Sequence, residues 1–540
     1  MKLIVKRSSF WLTDYERWAS PSLEKALMIY DVHEHRYTQK LFDYDATKRI
    51  LKLPRGLGQQ MILQKLEADG VLLSDQDDLV DEYGHFVKPK VNKFKIREHI
   101  SIQGEIQEGS VRFLTQDKDA QKMLALDTGY GKSFCTIMST HKLQALPMIV
   151  CRTLGEQWKQ YICDDEKGYT DITEDEIYMI SGTPSVEKLM NMENPPYRAY
   201  IASTDTLKSY FNAKGDLDSL MAHLGIGVLA YDEAHLNYVA NMIIDVNTNV
   251  EFKFYLTATP GRSDNREDKM FKSIFRFIPI FGEETHTLKQ YYNIRMVHYN
   301  SFPTGEQIQK CSTVRGFNSR IYAEYIFSSQ PRKVLFYAMI RKYISILLEQ
   351  DNESRVLIIL DRLQDINDMA EILKMDLKIS VGRYCTLIPK KEEREKELNS
   401  RIVLSTLGSG VVGKDIKGLR MVLAMTSFSS QIITRQLLGR LRYLDGKMVY
   451  YFDFTDQGFP AMVGQQSRRQ IELKSRAHSF ERIYLEFEPM IDELRSAFDP
   501  SLIKARAPKP KTHPVRKKKK ELPGAKFKRY PGNYRPKRAA

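Results

Sequence analysis

The sequence contains no long hydrophobic run. Although 42% of its 540 residues are hydrophobic, no stretch approaches the roughly 20 consecutive apolar residues that a membrane-spanning helix needs. Near the start, the apolar residues Leu3, Ile4 and Val5 form a segment far too short for the core of a signal peptide. We therefore expect no membrane association and no secretion.

Cysteine is also scarce. The five cysteines are spread along the chain without a Cys-x-x-Cys pair; they are Cys135, Cys151, Cys163, Cys311 and Cys385. This spacing favours neither a disulfide framework nor a zinc site, so we expect no zinc. The pattern is typical of a reducing compartment and predicts an intracellular, cytoplasmic protein.

Most of the chain has no charge imbalance. The net charge is +14, and residues 504–540 account for all of it, with 15 Lys or Arg against one acid, Glu521. Six prolines and few large aliphatic residues in this segment predict a disordered polybasic tail. Such tails most often bind nucleic acid non-specifically. The alternatives are a solubility appendage or an import signal at residues 516–520.

The length predicts three or four folding units of roughly 150 residues each. Aromatic side chains cluster in the first 90 residues, either as the core of a small module or as a surface that stacks bases. Short apolar strands then alternate with amphipathic helices, which predicts parallel sheets covered on both faces. Within residues 465–503, apolar residues recur three and four positions apart, which predicts a helix. The predicted units are an accessory domain at 1–90, α/β domains at 91–295 and 296–464, a helical segment at 465–503 and the tail at 504–540.

A candidate phosphate-binding loop follows an apolar strand. Gly129 and Gly131 would let backbone N–H groups approach phosphate oxygens closely, and a helix begins directly after them. In this pattern Lys132 reaches the β- and γ-phosphates of ATP, and the Ser133 hydroxyl coordinates Mg²⁺. The general consensus has another glycine six positions before the lysine, where this sequence has Leu126.

Two adjacent carboxylates end a second buried strand. Asp232 and Glu233 begin an Asp-Glu-Ala-His sequence that is completed by His235. Adjacent carboxylates in such a place are costly without a cation nearby. We expect Asp232 to hold Mg²⁺ and Glu233 to orient and deprotonate the attacking water. A helix cap would explain Asp232 alone.

With these two segments in this order, the sequence resembles the superfamily 2 helicases and translocases, specifically their DEAH-box branch. Further matching segments lie at residues 150–158, 202–204, 257–261, 405–419 and 436–442. The resemblance implies nucleotide-binding roles for Gln107, Thr128, Gly413, Asp415 and Gln436. It implies nucleic-acid contacts for Arg152, Thr204 and Thr406. It also implies that His235, Thr257 and Thr259 couple ATP hydrolysis to domain motion.

The last matching segment contains two arginines, Arg440 and Arg442. Phosphoryl transfer needs positive charge at the γ-phosphate, and an arginine finger contributes roughly 10³–10⁵ in rate. We assign Arg440 to the γ-phosphate and Arg442 to the finger; the alternative is that both pair with carboxylates at a domain interface. The family's second arginine would fall at position 443, which is Tyr443 here.

The resemblance implies two tandem RecA-like domains that bind ATP and Mg²⁺ between them. The small N-terminal module and compact motor domains are most similar to the phage UvsW-type recombination helicases. This implies a monomeric DNA helicase or branch-migration translocase of replication, recombination or repair, working in the host cytoplasm. The alternatives are an RNA helicase or RNA–DNA hybrid remodelling motor, and an ATP-switched annealing or binding protein that does not unwind.

Overall fold

The described part of the chain folds around three large sheets and two two-stranded hairpins. The computed structural model describes residues 1–506 except 32–35, 74–77, 117–119, 128, 153–154, 165–167, 215, 259, 261–264, 284–290, 314–315, 410–415, 443 and 445. Of the predicted tail, only residues 504–506 belong to this part, so the disorder expected for the rest lies outside the described residues.

The N-terminal domain is built on a five-stranded sheet. Its order is β5-β6-β2-β1-β7, and only the β1–β7 pair is parallel. The elements are β1 Lys2–Lys6, β2 Ser9–Thr13, α1 Pro21–Ala26, β3 Met28–Asp31, β4 Arg36–Lys40, β5 Asp43–Asp45, β6 Ile50–Pro54, α2 Gln59–Ala68 and β7 Leu79–Glu82. Phe10, Tyr15 and Phe42 are buried in a core that continues into the next domain. These aromatic rings therefore stabilise the fold and are not available for stacking on bases.

The first α/β domain contains a seven-stranded parallel sheet. Its order is β10-β11-β9-β12-β13-β8-β14. The strands are β8 Gln121–Leu124, β9 Pro147–Cys151, β10 Ile177–Ile180, β11 Ala199–Ser203, β12 Val228–Tyr231, β13 Phe252–Leu256 and β14 Ile280–Phe281. The helices are α3 Gly104–Thr115, α4 Lys132–Leu143, α5 Gly155–Cys163, α6 Thr183–Met190, α7 Thr204–Lys214, α8 Leu217–Leu224, α9 Tyr238–Val246 and α10 Asn265–Ile274. Strands β9 and β12 are buried along their whole length, as continuous apolar runs predict. Strand β8 is also buried throughout, although it begins with the polar residues Gln121 and Lys122.

The second α/β domain also has a seven-stranded parallel sheet, in the order β19-β20-β18-β21-β22-β15-β23. Its strands are β15 Tyr292–Tyr299, β18 Arg355–Leu360, β19 Val381–Tyr384, β20 Ile402–Thr406, β21 Leu419–Ala424, β22 Val449–Asp456 and β23 Ala477–Tyr484, with a separate hairpin of β16 Ser312–Thr313 and β17 Gly316–Phe317. The helices are α11 Gly305–Cys311, α12 Ser319–Phe327, α13 Gln330–Gln350, α14 Leu363–Leu377, α15 Lys391–Glu397, α16 Gln431–Leu438, α17 Pro460–Arg476 and α18 Phe487–Ala497.

The C-terminal segment is only partly helical. The predicted helical segment 465–503 contains strand β23, which joins the second sheet beside β15. Helical spacing of apolar residues did not reveal this strand, because its main-chain partner lies far away in the sequence. Helix α18 does dock on the domain, with Met490 and Leu494 buried. Arg506 then forms an ion pair with Asp365 at 2.7 Å.

The predicted fold class is confirmed: two tandem parallel-sheet domains of the RecA-like type follow a small N-terminal domain. Such sheets bring the carboxyl ends of neighbouring strands to one edge, where ligands bind in α/β folds. Within the described part of the chain, no helix is both long and apolar enough to cross a membrane.

Candidate nucleotide site

The phosphate loop lies between β8 and α4. Gly129 and Gly131 adopt positive φ values of 88° and 85°, which glycine tolerates and which allow the loop to turn directly into the helix. Lys132 is the first residue of the 12-residue helix α4, and its Nζ donates a hydrogen bond to the Leu126 carbonyl at 2.9 Å. Burial lowers the pKa of Lys132, while the charges of Glu233 and Asp127 oppose that shift. Thr128 lies outside the described residues.

The acidic pair follows β12, at the same edge of the sheet. Asp232 donates its backbone N–H to the Val150 carbonyl, and Glu233 has a positive φ of 47°, which is uncommon for a residue with a side chain. Burial and the neighbouring Glu233 charge raise the pKa of the Asp232 carboxyl. Oε2 of Glu233 is buried and accepts no hydrogen bond from the residues that the structure describes. Both carboxyls therefore suit a site that receives a cation and a water molecule.

The two α/β domains meet around one cavity of about 130 Å³. From the first domain it is lined by Gly129, Gly131, Lys132, Ser133, Asp232 and Glu233. From the second domain it is lined by Arg440 and Arg442. These arginines follow α16, which also carries Gln436, and Arg440 is 8% exposed. The structure thus brings together the predicted phosphate loop, acidic pair and arginines, although more than 300 residues of sequence separate the loop from the arginines.

A second contact connects the acidic pair to β13. Nδ1 of His235 lies 2.8 Å from Oγ1 of Thr257 and 3.4 Å from Oε2 of Glu233. His235 and Thr257 are both buried, and the Thr257 N–H donates to the Leu124 carbonyl next to the phosphate loop. A movement of Glu233 would therefore be transmitted to β13 through His235 and Thr257. Thr259, the other predicted coupling residue, lies outside the described residues.

Trp158 ends the matching segment 150–158, but the sequence analysis assigned it no role at the site. It lies on α5, is 1% exposed, and donates its indole N–H to Oδ2 of Asp232 at 2.8 Å. On the same side of the cavity, the rings of Tyr161 and Tyr169 stack with centroids 5.6 Å apart. The rarity of tryptophan, three in the whole chain, was the available sequence signal. It did not indicate Asp232 as the partner.

Gln107 lies beside the phosphate loop but does not line the cavity. Its Nε2 is 3.4 Å from the Tyr130 carbonyl, and its Oε1 accepts a hydrogen bond from the Gln103 N–H at 2.8 Å. This position is compatible with a nucleobase contact outside the phosphate cavity. Gly413 and Asp415, which the resemblance also assigns to the nucleotide, lie outside the described residues.

The expected strand-contacting residues lie at the carboxyl edges of the two sheets. Arg152 and Thr204 follow the neighbouring strands β9 and β11, whose last residues Cys151 and Ser203 pair with each other. Arg152 is exposed, whereas Thr204 is only 2% exposed. Thr406 ends β20 in the second domain. Arg152 is thus accessible to a phosphate backbone, and Thr204 would contribute mainly through the N-terminus of α7.

The chain matches no family model and no curated protein. Among solved structures, Mss116p bound to ssRNA and AMP-PNP is 13% identical over 73% of this chain and 77% of that chain, with a TM-score of 0.49. S. cerevisiae Dbp5 bound to RNA and ADP BeF3 is 13% identical over 73% of this chain and 93% of that chain, with a TM-score of 0.47. T4 UvsW is 16% identical over 90% and 99%, with a TM-score of 0.35. Similarity this low carries no functional argument.

Proposed function

We propose that the chain is an ATP-hydrolysing motor that moves along nucleic acid, and specifically a DNA helicase or branch-migration translocase. One observation carries this proposal: Arg440 and Arg442 of the second domain line the same cavity as Lys132 and Glu233 of the first. A hydrolytic site divided between two domains links each ATP cycle to their relative motion. That linkage is the physical requirement of a motor.

The residues divide the work of phosphoryl transfer. Lys132 and the backbone of the glycine loop would bind the β- and γ-phosphates of ATP. Ser133 and Asp232 would hold Mg²⁺, which neutralises charge on the polyphosphate; the half-buried Asp232 carboxyl and the Glu233 oxygen without a hydrogen-bond donor among the described residues fit such a cation. Glu233 would orient and deprotonate the attacking water. Arg440 would bind the γ-phosphate, and Arg442 would act as the finger.

Strand movement would follow from cycles of domain closure. The contact between His235 and Thr257 connects the catalytic carboxylate to β13, so that the state of the nucleotide can reach the rest of the sheet. Arg152 and Thr204 in the first domain and Thr406 in the second would grip one strand through its backbone. Alternate closing and opening would then shift one grip relative to the other.

We further propose that the motor acts on DNA in recombination or repair. The support for this proposal is the sequence pattern of a small N-terminal domain before two compact motor domains, which resembles the UvsW-type helicases. A backbone grip does not by itself distinguish DNA from RNA without a contact to the 2′-hydroxyl.

Steady-state turnover of Mg²⁺-ATP separates the alternatives. We expect turnover to rise with single-stranded DNA, and a four-way junction to be converted to products at the expense of ATP. Preferential stimulation by RNA or an RNA–DNA hybrid would instead indicate an RNA-directed motor. An absence of turnover with every polymer, in protein that still binds ATP, would overturn the motor proposal and favour an ATP-switched annealing protein.

A further inference from the structure

Four charges of alternating sign connect the second domain to the phosphate loop; Glu472, Arg476 and Asp127 are buried, and Arg435 is half-buried. Nε of Arg435 on α16 lies 2.6 Å from Oε1 of Glu472 on α17. The same oxygen is 2.6 Å from Nε of Arg476, the last residue of α17. Nη1 of Arg476 in turn donates to Oδ2 of Asp127 at 2.5 Å. Asp127 lies in the phosphate loop of the first domain, immediately after Leu126.

This last contact is buried on both sides. The side chains of Arg476 and Asp127 are 3% and 4% exposed. Burial by itself would lower the pKa of Arg476, but the charges of Asp127 and Glu472 outweigh it and raise that pKa. A buried charge that loses its partner is strongly unfavourable. The contact thus favours the arrangement in which the two domains lie together.

Asp127 is an unfavourable residue for a loop that binds a polyanion. Its charge acts on Lys132, the predicted phosphate ligand. Lys132 also donates a hydrogen bond to the carbonyl of Leu126, the residue before Asp127. A carboxylate in the loop that binds ATP would repel the phosphates if its charge were not offset. The guanidinium that offsets it belongs to the other domain. The loop is therefore electrostatically suited to a triphosphate when Arg476 is in place.

We propose that Arg476 is a positioning residue that neutralises Asp127 and so makes the phosphate loop accept ATP when the two α/β domains are closed. Nucleotide affinity and domain closure are then thermodynamically linked, because each favours the other. Arg476 lies outside every segment that resembles the helicase motifs. The inference deepens the proposed function and rests on it.

Equilibrium binding of AMP-PNP, a non-hydrolysable ATP analogue, with Mg²⁺ tests the linkage by calorimetry and does not require turnover. Arg476→Gln removes the charge and keeps a polar side chain of similar length. We expect its Kd to rise roughly tenfold or more from uncompensated repulsion by Asp127. Adding Asp127→Asn should restore binding to within about threefold of the wild type, because the repelling charge is then gone. Arg476→Lys keeps the charge and should bind nearly as the wild type does.

Arg495→Gln is the matched control, since Arg495 is exposed on the same domain and, among the described residues, forms its ion pair with the neighbouring Asp492; it should bind AMP-PNP normally. Small-angle X-ray scattering without nucleotide provides a second readout. The radius of gyration should be larger for Arg476→Gln than for the wild type.

The proposal is overturned if Arg476→Gln binds AMP-PNP as the wild type does, or if the double variant remains as weak as Arg476→Gln. The first result would mean that Arg476 does not affect the loop, and the second that it acts on something other than Asp127. A wild-type protein that binds AMP-PNP but hydrolyses no ATP with any polymer would refute the motor function. The binding and scattering results would still decide the linkage.

Discussion

The indole nitrogen of Trp158 lies 2.8 Å from Oδ2 of Asp232, so a helix next to a predicted strand-contacting segment holds the carboxylate that we assign to Mg²⁺. Trp158 belongs to α5, which follows Arg152 by only a few residues. The contact orients Asp232 and provides a short physical route between the sheet edge that we propose to bind a strand and the proposed hydrolytic site.

Replacing Trp158 with Phe should weaken activation by Mg²⁺. The variant keeps the ring but loses a hydrogen bond to a charged group, which contributes about 1.5–3 kcal/mol. We expect the Mg²⁺ concentration for half-maximal ATP hydrolysis to rise by roughly tenfold. Trp11→Phe is the matched control, because the Trp11 N–H bonds to Ser9 in the N-terminal domain. Equal Mg²⁺ requirements in the two variants would contradict the assigned role.

The same variant should change the pH dependence of hydrolysis. Burial and Glu233 raise the pKa of Asp232, while the Trp158 hydrogen bond lowers it. Removing that hydrogen bond should raise the pKa further, so protons compete with Mg²⁺ at a higher pH. The acidic limb of the pH–rate profile, measured at fixed subsaturating Mg²⁺, should therefore move upward in pH relative to the wild type. An unshifted limb would show that the hydrogen bond does not affect Asp232.

Glu233→Gln should abolish hydrolysis while leaving the fold and ATP binding intact. The amide cannot accept the proton of the attacking water, and loss of a general base costs roughly 10²–10⁴ in rate. Turnover of ATP with saturating single-stranded DNA is the measurement, and Glu174→Gln, an exposed acid on the same domain, is the control. Lys132→Ala should also abolish turnover, and additionally weaken ATP binding. Normal turnover in Glu233→Gln would overturn the assignment of the base.

Thr257→Val should separate hydrolysis from strand movement. Valine has nearly the same shape but lacks the hydroxyl that lies 2.8 Å from His235 Nδ1. We expect DNA-stimulated ATP hydrolysis to change little and junction processing, measured in the same samples, to fall sharply, because the route to β13 is interrupted. Parallel loss of both activities would indicate a role in hydrolysis itself.

Deletion of residues 507–540 should reduce the salt dependence of DNA binding. The truncation point keeps Arg506, whose guanidinium contacts Asp365 and Asp368 on the second domain. The logarithm of the binding constant falls with the logarithm of salt concentration at a slope of about −0.9 per neutralised phosphate, so four or five engaged tail cations would flatten the slope by about four. An unchanged slope would leave the solubility or import alternatives for the tail.

Local chemistry explains which parts of the site the sequence revealed. The phosphate loop and the Asp232–Glu233 pair are short contiguous segments, each next to an apolar strand, and their residue types alone indicate phosphate and cation binding. Arg440 and Arg442 were identified from the resemblance, and the structure places them at the same cavity. Apolar strands alternating with helices likewise predicted the two parallel sheets, because a strand buried on both faces must be apolar throughout.

Only the tertiary structure decided which residues far apart in the chain contact each other. Trp158 meets Asp232 across 74 residues, and Arg476 meets Asp127 across 349. Strand β23 pairs with β15 despite helical spacing around it. The physical reason is that local residue types determine what a segment can bind or form, whereas packing of the two sheets determines which buried charge lies beside which. The sequence alone thus indicated the chemistry of the candidate nucleotide site, and the folded chain decided how the two domains share that site.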